Sequence, residues 1–272
     1  MTTFGARLHA TVQGRGPLCA GIDPHGSLLR DWGYDDDVAG LERFALTAAD
    51  ALAPRVALVK PQSAFYERFG SRGIAVLERV VTTCRDAGAL VLLDVKRGDI
   101  GSTSQAYADA YLDQSSPLAV DAITASPYLG FGSLNPMIDT ARREGAGVFV
   151  LALTSNKEGP EVQAARTGDS TVADVVLDHL RELNHDATPL GSFGAVVGAT
   201  VDGTGHTFDI NGPLLAPGYG AQGGTVADLR RIFGASVGHV LPSTSRELLG
   251  AGPAGVADAA DRLNDQLREL TA

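Results

Sequence analysis

Eight short apolar runs, separated by segments of helical periodicity, constrain this chain more than any other feature. They begin at Leu18 (LCAGID), Arg55 (RVALVK), Ala89 (ALVLLDVK), Ala119 (AVDAITAS), Gly147 (GVFVLALTS), Phe193 (FGAVVGAT), Pro213 (PLLAPGYG) and His239 (HVLPSTS). Runs this apolar suit strands buried on both faces, the condition of a parallel sheet covered by helices. The intervening segments agree: Val172, Val175, Val176, Leu180 and Leu183 share one helical face, as do Val256, Ala260, Leu263, Leu267 and Leu270. "TVAD" occurs at Thr171 and again at Thr225, each time setting a Thr three residues before an Asp as a helix-capping pair. Eight βα units in 272 residues predict a single-domain α/β protein, a (β/α)₈ TIM barrel spanning residues 1–272. An open doubly wound sheet fits less well, because no GxGxxG follows the first strand. Ser155 to Ser170 and Val201 to Gly212 are long and polar and read as loops over the active face.

A formal net charge of −10 argues against a nucleic-acid partner, since such binding rests on Lys and Arg neutralising phosphates. The N-terminus lacks the apolar core of a signal peptide, and no apolar run approaches the roughly 18 residues needed to span a bilayer. A cytoplasmic location without membrane association is expected. Cys19 and Cys84, the only cysteines, sit in apolar segments and read as buried reduced thiols. Arg97-Gly98-Asp99 spells an adhesion tripeptide, which has no use in a chain without a secretion route.

Charge is concentrated where strands should end. "LVLLDVKRGD" closes an aliphatic run with Asp94, Lys96, Arg97 and Asp99, while "LCAGID" ends in Asp23 and "VALVK" in Lys60. Strand side chains alternate, so Asp94 and Lys96 are expected to point the same way, and the carboxyl ends of barrel strands line the ligand site. Isolated surface ion pairs contribute about 0 to 1 kcal/mol, too little to explain Asp23, Lys60, Asp94, Lys96 and Asp99 at one mouth. Flanking carboxylates favour the charged form of a lysine, which can then act as a fixed cation and proton donor. Further along, "PGYGAQGGTVADL" places glycines before a helix start, a setting for a phosphate, and Arg246 in "PSTSREL" can supply a charged clamp. The six histidines show neither HxH nor HExxH spacing, so no metal site is expected.

"DVKRGDIGST" resembles the DxKxxD signature of the orotidine 5′-phosphate decarboxylase family, in its bacterial branch written with KRGD. "GIDPH", "VKPQ", "LTSN" and "PGYGAQGG" extend the likeness from the first strand to the eighth. The resemblance implies a barrel that converts orotidine 5′-monophosphate to UMP and CO₂ in pyrimidine synthesis, with no cofactor. It implies that Lys96 protonates C6 and that Asp94 lies against the substrate carboxylate, with Lys60 and Asp99 completing the charge array. Asp23 and Lys60 would bond the ribose, Ser155 the pyrimidine, Gln222 both base and phosphate, and Arg246 the phosphate. It further implies a homodimer in which Asp99, Ile100 and Thr103 enter the neighbouring subunit's site. One departure concerns Arg246, since many relatives carry this arginine after Gly and before Ser. Two other readings stay open: a Mg²⁺-dependent sugar-phosphate lyase or aldolase of the related barrel group, which usually has KTAD in the motif, and a nucleotide-phosphate sensor without turnover.

Overall fold

The computed structural model describes residues 2–203 and 205–270. Eight strands close a parallel barrel: β1 (Cys19–Ile22), β2 (Leu58–Pro61), β3 (Leu90–Arg97), β4 (Ala122–Ala125), β5 (Gly147–Leu153), β6 (Phe193–Val197), β7 (Leu214–Pro217) and β8 (Val240–Thr244). Each pairs with its sequence neighbours, and β1 closes on β8 through Cys19 opposite Ser243. The predicted (β/α)₈ barrel is therefore the observed fold, and all eight apolar runs contribute a strand.

Strand alternation sorts the residues into two packed layers. Leu58, Leu92, Ala122, Phe149, Val196, Leu215 and Leu241 fill the barrel interior. Val59, Val91, Ile123, Val148, Ala195, Leu214 and Val240 face outward beneath the helices. Because the period is two, the next interior position above Leu58 is Lys60, above Leu92 is Asp94 and above Ala122 is Thr124. Those interior columns thus change from apolar to polar within one step.

The opposite end is sealed by the helix Phe4–Arg15, whose Phe4 ring meets Phe149 edge-on at 6.0 Å. Gly147 is required for this closure, as a Cβ there would lie 2.4 Å from Phe4 Cδ1. Both "TVAD" segments form full capping boxes, at the starts of the helices Val172–Leu183 and Val226–Phe233. The predicted loop between Ser155 and Ser170 is more ordered than its polarity suggests. It holds a short helix, Pro160–Gln163, and Arg166–Thr167 pairs antiparallel with Ser170–Thr171 through a turn where Gly168 takes φ +63°. Its polar side chains are consumed locally: Gln163 accepts from the Thr154 amide at 2.9 Å and donates to the Thr154 hydroxyl at 2.7 Å. From 201 to 212 the described residues form neither helix nor strand, as expected.

Cys19 and Cys84 are buried and free, and burial pushes each thiol up to about 12, so neither is a thiolate at neutral pH. Among the described residues, no helix is long and apolar enough to cross a membrane.

Buried amides tie the helical shell to the strand ends. Asn264 accepts from the Leu18 amide at 3.2 Å and donates to the carbonyls of Arg15 and Arg55. Leucine fills a similar volume but satisfies none of these groups. Asn264→Leu should therefore cost about 3 kcal/mol, read as a lower urea midpoint with an unchanged slope.

Candidate active site

At the carboxyl ends of β2, β3 and β4, one carboxylate collects three donors. Asp94 Oδ2 lies 3.1 Å from Lys60 Nζ, while Asp94 Oδ1 lies 2.6 Å from Lys96 Nζ and 2.7 Å from the Thr124 hydroxyl. Lys60 and Asp94 are only 6% and 7% exposed. Burial alone would raise the Asp94 carboxyl, but the Lys60 and Lys96 charges and the bonds from Lys96 and Thr124 outweigh it and hold it well below the usual carboxylate range. Burial alone would likewise lower Lys60, yet the fields of Asp94 and Asp23 hold its ammonium above the ordinary lysine value. The result is a Lys60–Asp94 pair held in its ionised form in a partly dry setting.

Simple alternation does not deliver Lys96 to this place. Leu93 pairs with Ile123 and Arg97 with Ala125, so Asp94, Val95 and Lys96 together oppose the single residue Thr124. The bulge carries Lys96 to φ +45°, a left-handed conformation rare for a residue with a side chain. From there the Lys96 ammonium folds back onto Asp94. Arg97 borders neither cavity described below; it bonds Glu67 Oε1 at 2.6 Å and the Tyr111 hydroxyl at 3.3 Å, anchoring β3 beyond the bulge.

Two adjoining cavities share Asp23, Lys60, Pro217 and Gln222. One, of about 250 Å³, contains Asp94, Lys96, Thr124 and Ser155 beside Leu151, Val196 and Leu215. The other, of about 350 Å³, is bordered by His25, Gly218, Tyr219, Ala221, Ser245 and Arg246. Asp23 Oδ1 and Ser245 Oγ are buried without a hydrogen-bond partner there. The Arg246 side chain forms no ion pair or hydrogen bond among the described residues. Arg246 and the Ser245 hydroxyl suit an anionic ligand end, while the Asp23 oxygen can accept from a ligand hydroxyl.

The glycine loop and the helix start after it, read together as a phosphate setting, differ in what they offer the cavity. Asp228 accepts from the Thr225 amide at 3.1 Å, and the Thr225 hydroxyl takes the Asp228 amide. This carboxylate already partly satisfies the positive end of the helix. The cavity wall is the loop Gly218–Gln222 together with Ser245 and Arg246, with Gly218 and Gly220 at φ +98° and +71°.

The residues thus divide. Asp23, Lys60, Asp94, Lys96, Ser155, Gln222 and Arg246 border the joined cavities. Asp99, Ile100 and Thr103 do not: Asp99 Oδ1 accepts from the Ile100 amide at 2.8 Å, Ile100 is 62% exposed, and Thr103 is exposed on the following helix, Gly101–Tyr111.

Residues 16–260 match the model of the "Orotidine 5′-phosphate decarboxylase / HUMPS family". The chain belongs to this family. An orotidine 5′-phosphate decarboxylase of Nocardioides sp. is 67% identical over 98% of this chain and 100% of its own. One from Salinispora tropica is 65% identical over 97% of this chain and 96% of its own. A crystal structure assigned to the same enzyme in Streptomyces avermitilis superposes with a TM-score of 0.97 at 58% identity, covering 100% of this chain and 96% of that one.

In this family member, sequence reasoning overlooked Thr124 and Ser245. Thr124 carried a usable signal, a hydroxyl inside "AVDAITAS" two residues above the interior Ala122. Ser245 had none beyond adjacency to Arg246.

The pH dependence of the cluster follows from its shifts. A carboxyl depressed on folding stabilises the protein above its unfolded pKa, about 3.9, and loses that contribution as pH falls through the folded value. A raised lysine contributes fully below about 10.4 and loses that contribution as pH climbs through its folded value. The cluster's stabilisation should be flat from pH 5 to pH 9. Within that window Asp94→Ala leaves the Lys60 ammonium buried without its partner and should cost about 3 to 5 kcal/mol. Lys96→Ala, whose side chain is 45% exposed, should cost under about 1 kcal/mol. Urea unfolding at pH 5, 7 and 9 checks both; an Asp94→Ala protein as stable as the native one would contradict the account.

Proposed function

We propose that the chain is a cytoplasmic, homodimeric orotidine 5′-monophosphate decarboxylase, releasing UMP and CO₂ at the end of pyrimidine nucleotide synthesis. The observation that carries this reading is the Lys60–Asp94–Lys96 cluster, placed beside a cavity whose far wall holds an uncommitted arginine and the unpartnered Ser245 hydroxyl. Reactive and anion-binding ends are thus separated by the span that Gln222 borders on both sides. The names of the relatives support the same activity.

In this mechanism, Arg246 and Ser245 hold the phosphate, Asp23 and Lys60 take the ribose hydroxyls, and Ser155 bonds the pyrimidine. Gln222 bridges base and phosphate. The substrate carboxylate lies against Asp94. As the C6–carboxyl bond breaks, its electron pair stays on C6 in the ring plane, where conjugation to the ring carbonyls cannot spread it. Stabilisation then comes from preorganised charge, chiefly the Lys96 ammonium. Lys96 gives its proton to C6, forming the C–H bond of UMP, and regains a proton from solvent after CO₂ departs. No metal or organic cofactor takes part in these steps. Phosphate contacts far from C6 contribute by closing and ordering the site.

Asp99, Ile100 and Thr103 act, in this reading, in the second subunit's site. Their position outside the chain's own cavities supports this, as do the exposed apolar side chains of Ile100, Tyr128 and Leu129. Mixing Lys96→Ala with Asp99→Asn subunits should regenerate one intact site per heterodimer and restore part of the activity. No recovery would count against shared sites.

The activity itself is tested by following loss of orotidylate ultraviolet absorbance with purified protein and excess EDTA. Turnover should persist. Lys96→Ala should lower it by several orders of magnitude while UMP binding stays measurable; near-native turnover would remove Lys96 as the proton donor. A metal-dependent lyase would fail in EDTA, and a sensor would bind UMP without consuming orotidylate.

A further inference from the structure

We propose that Thr124 is a positioning residue for the decarboxylation: its single hydroxyl sets both the Asp94 carboxylate and the backbone from which Lys96 reaches the substrate. The inference rests on the function proposed above. Thr124 is 1% exposed, yet it is polar and β-branched in the middle of a strand otherwise made of Ala and Ile. A methyl-bearing residue such as valine would pack equally well there, so packing alone does not explain the hydroxyl.

Both of its bonds go to the reactive cluster. The hydroxyl donates its one proton to Asp94 Oδ1 at 2.7 Å and accepts from the Lys96 backbone amide at 2.9 Å. That amide lies at the bulge, where the β3–β4 register jumps and the regular ladder lapses. Thr124 therefore substitutes a side-chain oxygen for the missing strand carbonyl, satisfying a partly buried amide that the ladder leaves without a partner. The same bond holds Lys96 at φ +45°, a strained conformation that persists only when its surroundings fix it.

The second bond restricts Asp94. With Oδ1 already accepting from Thr124 and Lys96 Nζ and Oδ2 from Lys60, the carboxylate cannot rotate without losing all three partners. The hydroxyl thus couples the orientation of the carboxylate to the placement of the proton donor. Thr124 also borders the cavity shared by Asp94, Lys96 and Ser155, so its loss is felt where the reacting carbon would sit.

Thr124→Val preserves shape and removes both bonds. Its kcat for orotidylate should fall about 100-fold, the scale of an ångström-size misplacement at a reacting centre, while the UMP dissociation constant moves less than about threefold. Thr124→Ser, which keeps the hydroxyl, should recover kcat to within about fivefold of native. A purely structural role predicts the reverse: a lower melting temperature with native kcat per folded site, and no rescue by serine. Should Thr124→Val not fold, Thr124→Ala gives the same comparison, and native-like kcat in either variant overturns the proposal. An active native enzyme with indifferent Thr124 variants defeats this inference alone, whereas a native enzyme without turnover defeats the decarboxylase reading and this proposal with it.

Discussion

Burial of one carboxylate organises this barrel mouth. Asp94 stands one interior step above Leu92, so the fold forces an ionised group into a position where an unpaired charge would be prohibitive. The neighbouring strand answers from one layer lower. Leu58 pairs with Leu90 and Gln62 bridges to Asp94, which puts Lys60 level with Leu92 and lets its long side chain climb to the carboxylate. Ion pairs at this depth add little net stability over apolar packing, but removing one partner is costly. Their use lies elsewhere. They hold fixed charge at a defined place before any substrate arrives, which is what electrostatic catalysis requires.

The two ends of the joined cavities are built on different physical terms. At the β3 end, charges are mutually satisfied and rigid. At the β8 end, Arg246 is uncommitted and Ser245 Oγ lacks a partner among the described residues. A ligand entering between them gains most at the unsatisfied end and meets the preorganised charge at the other. Binding energy collected far from the reacting carbon can then be used to hold that carbon against the cluster. In the self-capped helix Val226–Phe233 the Thr225 and Asp228 amides are already occupied, which shifts anion binding toward the loop and Arg246.

The fold was legible because barrel strands are apolar on both faces and recur at regular spacing, and the eight runs stood out without structural help. The helix starts at Thr171 and Thr225 were legible for an equally local reason, a cap three residues from its partner. The cluster was half legible. Lys60, Asp94 and Lys96 announce themselves as charges ending apolar runs, but the route by which Lys96 arrives was hidden. A register jump depends on the neighbouring strand, and nothing within "LLDVKRGD" specifies that three of its residues will face one threonine. The anion wall was half legible for a similar reason: its glycine loop and Arg246 stand out in sequence, whereas the use of Asp228 to cap the following helix start appears only in the fold.

The bulge explains why one short segment carries so many charges. Asp94 still follows the strand's interior alternation, whereas Lys96 has left it and is held at positive φ by a threonine hydroxyl from the next strand. Two residues apart on a regular strand, carboxylate and ammonium would sit side by side and project together. The bulge instead turns the lysine back, so that its Nζ lies 2.6 Å from Asp94 Oδ1 while both groups still border the cavity. Three residues further on, the chain has turned outward, and Asp99 accepts from its neighbour's amide beside the exposed Ile100. A single strand end thus directs its first two charges into its own barrel and its last carboxylate away from it. Under the shared-site proposal that division makes the array complete only where two chains meet, so that assembly and charge preorganisation become one requirement.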